Sequence, residues 1–198
     1  MESKRPMGES LALALILILA MVLGATSTTQ AADEEQKAKH LAKAHEYMNQ
    51  GELESAVIEL RNVLQIDPKD DAAYVELGDL YMRLQKGREA FQSYSRAVNL
   101  NPENLEAQLS LGRVFLLARK PEEARKKAQL VLDKAPKNAE ALRLLSGAYI
   151  QEKKLDQAIE TLQSVASLEP DHVQTRLTLG RLLLAQDRLD EAEAALQK

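Results

Sequence analysis

Cysteine and tryptophan are absent from the 198 residues of this chain, and phenylalanine occurs only twice. A chain without cysteine forms no disulfide and offers no thiolate ligand to a metal. The abundant residues are instead Ala, Leu, Glu, Lys and Gln, which are good helix formers. Hydrophobic residues make up 45% and charged residues 28% of the chain, as is typical of a globular protein. The composition therefore favours an all-α fold.

A large positive charge is also lacking, because the formal net charge is -4. Affinity for the phosphate backbone of DNA or RNA requires clustered Lys and Arg side chains. We therefore expect no nucleic-acid partner.

Motifs of enzymes and of metal sites are missing as well. The only histidines are His40, His45 and His172, and the first two are five residues apart rather than four, so they do not form an i, i+4 metal-binding pair. The sequence contains no glycine-rich phosphate loop and no recognisable nucleophile motif. We therefore expect no catalytic residues, no bound metal and no cofactor.

The first 32 residues have the pattern of a secretory signal peptide. Lys4 and Arg5 precede an apolar run over residues 11–23, which is about 13 residues long and shorter than the roughly 20 that span a bilayer as a helix. Small polar residues follow, and we favour cleavage after Ala31. Retention as an uncleaved anchor in the inner membrane is the alternative. The expected location is therefore periplasmic or secreted, or else membrane-anchored with the folded part facing the periplasm.

A 34-residue period organises the remainder of the chain. We expect a short linker over residues 33–36 and then a repeat array over 37–198. Prolines recur at this period as Pro68, Pro102, Pro136 and Pro170. Small residues recur as Ala44, Gly78, Gly112, Ser146 and Gly180, and alanine recurs as Ala56, Ala90, Ala124, Ala158 and Ala192. The repeats start at Lys37, Asp71, Leu105, Ala139 and Val173, and the fifth is truncated at Lys198. A period of this length predicts a stack of helical repeats.

Each repeat is predicted to contain two antiparallel helices. A glycine inside a helix costs about 1 kcal/mol relative to alanine, so its recurrence indicates a close approach of the second helix. Each periodic proline then stops the second helix, because proline lacks a backbone N–H. The predicted first helices are 37–50, 71–84, 105–118, 139–152 and 173–186. The predicted second helices are 53–66, 87–100, 121–134, 155–168 and 189–197.

One repeat carries a recognisable family pattern. Its residues Tyr74, Leu77, Gly78, Tyr81, Ala90, Tyr94 and Pro102 resemble the tetratricopeptide repeat (TPR) consensus, with Tyr in place of the consensus Trp and Phe. The other repeats depart from the Trp position, where they have His40, Gln108, Leu142 and Arg176. The resemblance covers residues 37–198 and implies a right-handed α-solenoid of four full repeats plus a truncated fifth. It also implies a protein or peptide partner.

The resemblance further implies which residues contact that partner. In this family the first helices line a concave groove, and the second, fifth, ninth and twelfth positions of each repeat face the ligand. The expected groove residues are Leu41, His45, Met48, Val75, Asp79, Met82, Leu109, Arg113, Leu116, Arg143, Ile150, Leu177, Arg181 and Leu184. Their apolar stripe suits an amphipathic helix or an extended peptide. Packing between neighbouring first helices is the alternative explanation for that stripe.

The functional expectation is a non-catalytic scaffold of the cell envelope that holds another polypeptide. By analogy with other envelope TPR proteins, polysaccharide export and assembly of surface structures are the processes we expect it to serve. One alternative is a homo-oligomer that associates through an apolar face of the truncated fifth repeat. Another is that these residues are the N-terminal part of a longer TPR protein. Contact with a membrane is expected only through an uncleaved N-terminal segment.

Overall fold

A computed structural model describes residues 30–197 of the chain. Within this range every regular secondary-structure element is a helix. None of the helices in the described range has both the length and the apolar character that crossing a bilayer requires. The predicted signal peptide lies outside the described residues, apart from its last three positions.

The chain divides into two compact units, Met1–Pro68 and Lys69–Lys198. The described part of the first unit contains α1 (30–50) and α2 (Leu53–Ile66). The second unit contains the helix pairs α3 (Asp71–Arg83) with α4 (Gly87–Leu100), α5 (Leu105–Leu117) with α6 (Pro121–Lys134), α7 (Ala139–Gln151) with α8 (Leu155–Leu168), and α9 (Val173–Leu184) with α10 (Leu189–Leu196). Apart from the start of α1, these bounds agree with the predicted helices to within two residues, and the predicted all-α array of helix pairs is confirmed.

The structure differs from the predicted linker, because residues 33–36 are part of helix α1. The sequence from 30 to 36 consists of Ala, Asp, Glu and Gln and contains neither proline nor glycine. Ala, Glu and Gln are strong helix formers, so nothing in this stretch stops the helix.

Side-chain caps begin the first helices of the second unit. Asp70, Asn104 and Asn138 each accept a hydrogen bond from the backbone N–H three residues later. His172 caps α9 in the same way, with its Nδ1 atom 3.2 Å from the backbone nitrogen of Thr175. Such a bond satisfies one of the N–H groups that lack a partner at a helix start. These caps recur with the 34-residue period, two residues after each periodic proline.

The turns inside the repeats also recur, and each contains one residue in the left-handed region. In the second unit these residues are Gln85, Arg119, Lys153 and Asp187, with φ between 55° and 60°. The next backbone N–H then bonds to a carbonyl five residues earlier, as from Lys154 to Tyr149 at 2.9 Å. This bond closes the helix end as a Schellman motif. The first unit has Gly51 at the equivalent position, with φ 80°.

Glycines on the first helices allow neighbouring helices to approach closely. A Cβ atom added to Gly78 would lie 2.4 Å from Cε1 of Tyr94 in α4. This confirms that Gly78 makes room for the second helix of its own repeat. A Cβ atom at Gly112 would lie 3.1 Å from Cβ of Lys127 in α6 but 2.4 Å from Cδ2 of Leu144 in α7. The explanation from sequence was therefore incomplete for Gly112, whose nearest neighbour belongs to the next repeat.

The core consists of small and branched residues that hold the helices together in layers. The five periodic alanines all have 0% exposure, namely Ala56, Ala90, Ala124, Ala158 and Ala192. In the second unit one cluster joins α5, α6 and α7 through Leu109, Val131 and Leu144. Because α5 packs against both α6 and α7, the first helices of successive repeats lie side by side.

Candidate functional site

A pocket of about 430 Å³ opens in the second unit between residues of α3, α4, α5 and α7. Its lining residues are Asp79, Met82, Tyr94, Ser110, Arg113, Val114, Leu116, Leu117 and Gln151. Four of them, Asp79, Met82, Arg113 and Leu116, are among the groove residues predicted from sequence. Pockets that bind ligands commonly begin at about 300 Å³, so this one is large enough for a side chain of a partner.

A second pocket of about 260 Å³ adjoins the first, because both are lined by Arg113 and Leu116. Its other lining residues are Leu109, Glu140, Arg143 and Leu144. We call the two pockets together the central groove. Its walls are mainly apolar, and its polar groups are few and fixed by hydrogen bonds.

Tyr94 and Asp79 form a buried polar contact in the wall of the larger pocket. The Tyr94 hydroxyl donates a hydrogen bond of 2.5 Å to Oδ1 of Asp79, and the Tyr94 side chain is only 2% exposed. Burial raises the pKa of Tyr94 well above its ordinary value, and the hydrogen bond to Asp79 raises it further. Tyr94 therefore stays a neutral donor and holds the Asp79 carboxylate in one orientation.

Arg113 lies where the two pockets meet, and its guanidinium is held by two partners. One terminal nitrogen donates to Glu140 in α7, and the other donates to the hydroxyl of Ser110 at 2.8 Å. Arg143 pairs similarly with Glu169, the residue after α8. Both arginines of the central groove thus have a carboxylate partner within the chain.

The rim of the larger pocket is closed from α7. Gln151 donates a hydrogen bond of 2.9 Å from Nε2 to the backbone carbonyl of Leu116. The side chain of Leu116 packs closely on α7, since a Cβ atom at Gly147 would lie 2.7 Å from its Cδ2 atom. Leu117 is 70% exposed beside it. The pocket therefore has an ordered polar edge and an accessible apolar side chain.

Two predicted groove residues are not accessible in this structure. Val75 is 3% exposed and Leu109 is 4% exposed. Leu109 belongs to the core cluster with Ala141, Leu144 and Ala148 of α7. The sequence left packing between neighbouring first helices as the alternative to ligand contact, and Leu109 is packed in this way against α7. Leu109 still lines the smaller pocket, whereas Val75 lines neither pocket of the central groove.

The remaining predicted residues lie on other helices or outside the two pockets. In the first unit, Leu41 and Met48 of α1 are partly buried and His45 is exposed. Ile150 is partly buried near the end of α7. Leu177, Arg181 and Leu184 are exposed on α9, and the two leucines have 45% and 48% exposure. Their role in binding stays a prediction.

Seven lining residues of the central groove were not predicted as groove residues: Tyr94, Ser110, Val114, Leu117 and Gln151 in the larger pocket, and Glu140 and Leu144 in the smaller one. Tyr94 was missed because it lies on a second helix, where sequence indicated only packing. Leu117 and Gln151 occupy the thirteenth position of their repeats, next to a predicted contact position. An apolar residue at the end of a first helix is a signal that could have identified Leu117.

The described residues contain no group of three or more His, Cys, Asp or Glu side chains that could hold a metal ion. The polar groups of the central groove have partners among themselves, in the backbone or in Glu169. The groove is therefore suited to binding by contact and hydrogen bonding.

Comparison with known families identifies the repeat type. Residues 23–174 match the family described as the TPR domain of cytochrome c-type biogenesis protein H. The chain belongs to this TPR family. TPR-type repeat proteins are generally non-catalytic scaffolds that bind other proteins. No curated protein sequence matches this TPR chain.

Solved structures of other TPR proteins share the fold at low sequence identity. A structure of MamA from Desulfovibrio magneticus RS-1, covering MamA from residue 41 to its end, is 21% identical with a TM-score of 0.75, over 82% of this chain and 92% of the solved one. PilF of Pseudomonas aeruginosa is 20% identical with a TM-score of 0.75, over 83% of this chain and 75% of PilF. YrrB, described as a TPR protein with an unusual peptide-binding site, is 22% identical with a TM-score of 0.67, over 85% and 88% of the two chains.

Proposed function

We propose that this TPR protein is a non-catalytic scaffold whose central groove binds a segment of another polypeptide. The observation that carries the proposal is the 430 Å³ pocket, where Met82, Val114 and Leu117 offer apolar contact beside fixed polar groups. An apolar site with a few oriented polar groups is the usual composition of a binding site. The apolar part of this pocket matches the length of one turn of an amphipathic helix or of a few residues of an extended peptide.

The cell envelope is the proposed location, with the repeats on the periplasmic side. Three observations support it. The N-terminal sequence has the pattern of an export signal, and the family named for cytochrome c-type biogenesis protein H is associated with the periplasmic side of the envelope. The absence of cysteine suits an oxidising compartment, since no thiol is present to form an unwanted disulfide.

The process served by the scaffold is proposed from the family description. Because that description names cytochrome c-type biogenesis, a polypeptide of that assembly process is the first partner to test. Polysaccharide export and the assembly of surface structures, proposed from sequence by analogy, are the next candidates. Each of the three processes implies a different envelope protein as the partner bound in the groove.

A pull-down from envelope extract tests the proposal. The bait is the full chain, compared with a variant carrying Met82→Glu and Leu117→Glu and with the control Ile58→Glu, whose side chain is 59% exposed on α2. Leu117 is preferred to Leu116 because Leu116 packs on α7 and its replacement would disturb the fold. We expect a protein that the wild type and the control capture and the double variant does not. Equal capture by all three baits would remove the central groove as the binding site.

Self-association is the second function that a specific observation favours. Leu177, Leu184 and Leu189 are 45%, 48% and 63% exposed in the fifth repeat. Exposed apolar patches of this kind often mark interfaces. The molar mass measured by light scattering should then rise with concentration, and Leu177→Glu should prevent the rise. A constant monomer mass over a hundredfold concentration range would contradict self-association.

A further inference from the structure

We propose that the polypeptide segment bound in the central groove carries a lysine or arginine that pairs with Asp79, next to a large apolar side chain that enters the 430 Å³ pocket. This inference rests on the proposed function, since it specifies the chemistry of the segment that the groove accepts. It follows from a comparison of the charged side chains of the central groove, which shows which of them have an ion-pair partner within the chain.

The positive charges of the central groove are neutralised within the chain. Arg113 pairs with Glu140, and Arg143 pairs with Glu169. The Arg113–Glu140 pair joins two neighbouring repeats, whereas the Arg143–Glu169 pair lies within one repeat. An acidic segment entering the groove would have to compete with these carboxylates. The arginines therefore offer little attraction for an anionic partner.

Asp79 is different, because its contact within the chain is with a neutral group. Oδ1 accepts the hydrogen bond from the Tyr94 hydroxyl, and among the described residues Asp79 forms no ion pair within 4.0 Å. Arg83 lies one turn later on α3 but is exposed. Arg113 is near enough for its charge to act on the Tyr94 hydroxyl, but its own nitrogens donate to Glu140 and Ser110. The Asp79 carboxylate is therefore a groove charge without an ion-pair partner.

The surroundings of Asp79 make a cationic ligand more favourable than a neutral one. Met82, Val114 and Leu117 line the same pocket, and a bound segment that covers them would remove water from the carboxylate. Burying a carboxylate without a counter-charge is costly, whereas a cation beside it recovers much of that cost. The groove therefore discriminates against segments that place a neutral or acidic side chain beside Asp79.

The geometry also preorganises this contact. Tyr94 is buried and its ring packs on Gly78, so the hydroxyl that orients Asp79 cannot easily move. An acceptor that is already fixed in position loses little conformational freedom on binding. Since Asp79 and the apolar wall belong to one pocket, the cation and the apolar side chain must be close neighbours in the bound segment.

Selection from a random dodecapeptide display library tests the inference on the full chain. Parallel selections use the wild type, Asp79→Asn, and the matched control Asp133→Asn, which changes an exposed aspartate on α6. Asn at position 79 can still accept the hydrogen bond from Tyr94, so the fold should be retained. A fourth selection uses a groove-blocked variant, Met82→Arg with Leu117→Arg, because added glutamates would themselves attract a basic segment.

We expect peptides selected by the wild type and by Asp133→Asn to contain Lys or Arg close to Leu, Phe or Met. A synthetic copy of a selected peptide should bind Asp79→Asn at least about fivefold more weakly, because a charge pair at a partly apolar site is screened less than an exposed one. Replacing its basic residue by Met should cause a similar loss with the wild type and none with Asp79→Asn. Raising the salt concentration should weaken binding only when the peptide keeps its basic residue and the protein keeps Asp79.

Two different failures are distinguishable. Peptides that lack basic residues, or that bind Asp79→Asn as tightly as wild type while the groove-blocked variant binds none, would overturn the inference and leave the proposed groove in place. Selection of no peptide by the wild type, or equal binding by the groove-blocked variant, would overturn the proposed function and the inference together.

Discussion

The Tyr94 hydroxyl donates a hydrogen bond of 2.5 Å to Oδ1 of Asp79, while the Tyr94 ring occupies the space that the absent side chain of Gly78 leaves open. A repeat residue that packs two helices together therefore also orients the carboxylate of the central groove. Because one side chain performs both tasks, the stability of this repeat and the chemistry of the groove are connected.

Tyr94→Phe should change how stability depends on alkaline pH. The pKa of Tyr94 is raised in the folded state above the ordinary value of 10.0. Its stabilising contribution is therefore complete below pH 10 and decreases as the pH rises above it towards the folded-state pKa. Between pH 10 and 11 the wild type should lose about 1 kcal/mol more stability than Tyr94→Phe. Urea unfolding followed by circular dichroism measures this, and parallel pH profiles would contradict the assignment.

Gly112→Leu should destabilise the second unit. A Cβ atom at this position would lie 2.4 Å from Leu144, so even the first added carbon displaces a core side chain. Overpacking of this kind typically costs about 1–3 kcal/mol, and a full leucine side chain should reach the upper end. Gly87→Ala is the control, since a Cβ atom there meets nothing within 4 Å. Equal melting temperatures for Gly112→Leu and wild type would refute the close approach of α5 and α7.

Lys153→Gly should stabilise the protein, although it removes a side chain. Lys153 has φ 60° at the end of α7, and L residues pay about 1–2 kcal/mol in the left-handed region. Part of this gain is lost to the greater flexibility of glycine in the unfolded chain. We expect a net increase of about 0.5–1 kcal/mol in the free energy of unfolding. Gly51→Ala, at φ 80°, should have the opposite effect, and a stabilising Gly51→Ala would count against the argument.

Glu59→Gln should remove stability at neutral pH but not in acid. The hydrogen bond with His40, at 2.5 Å, holds the pKa of Glu59 below its ordinary value of 4.5. The stabilisation is therefore present above pH 4.5 and is lost as the pH falls through the folded-state pKa. At pH 6 the variant should be less stable by about 1 kcal/mol. Urea unfolding at pH 6 and pH 3 checks this, and a difference that persists undiminished at pH 3 would be inconsistent with it.

The fold was predictable because its determinants are local and periodic. Each proline, capping residue and left-handed turn acts within a few residues of its own position, so the 34-residue spacing locates every helix pair. The prediction of a linker over 33–36 was wrong, because the local sequence there favours a helix. The sequence columns also indicated correctly that Gly78 accommodates a neighbouring helix.

The accessibility of the groove residues was less predictable, because it depends on contacts between repeats. Leu109 and Leu177 occupy the same position in repeats that are two periods apart, and both are leucine. Leu109 is 4% exposed since α7 covers it, whereas Leu177 is 45% exposed. Residue type and repeat position alone cannot separate these two environments. The contribution of Tyr94 from a second helix was hidden for the same reason.

Site-specific photo-crosslinking tests most directly whether the central groove holds another polypeptide. A photoreactive phenylalanine analogue is placed at Leu117, which is 70% exposed beside the larger pocket, and separately at Ile58, which is 59% exposed on α2. After irradiation of intact cells, Leu117 should yield a discrete crosslinked product that Ile58 does not, and Met82→Glu should diminish it. Products from Ile58 with none from Leu117 would show that the partner binds elsewhere on the chain.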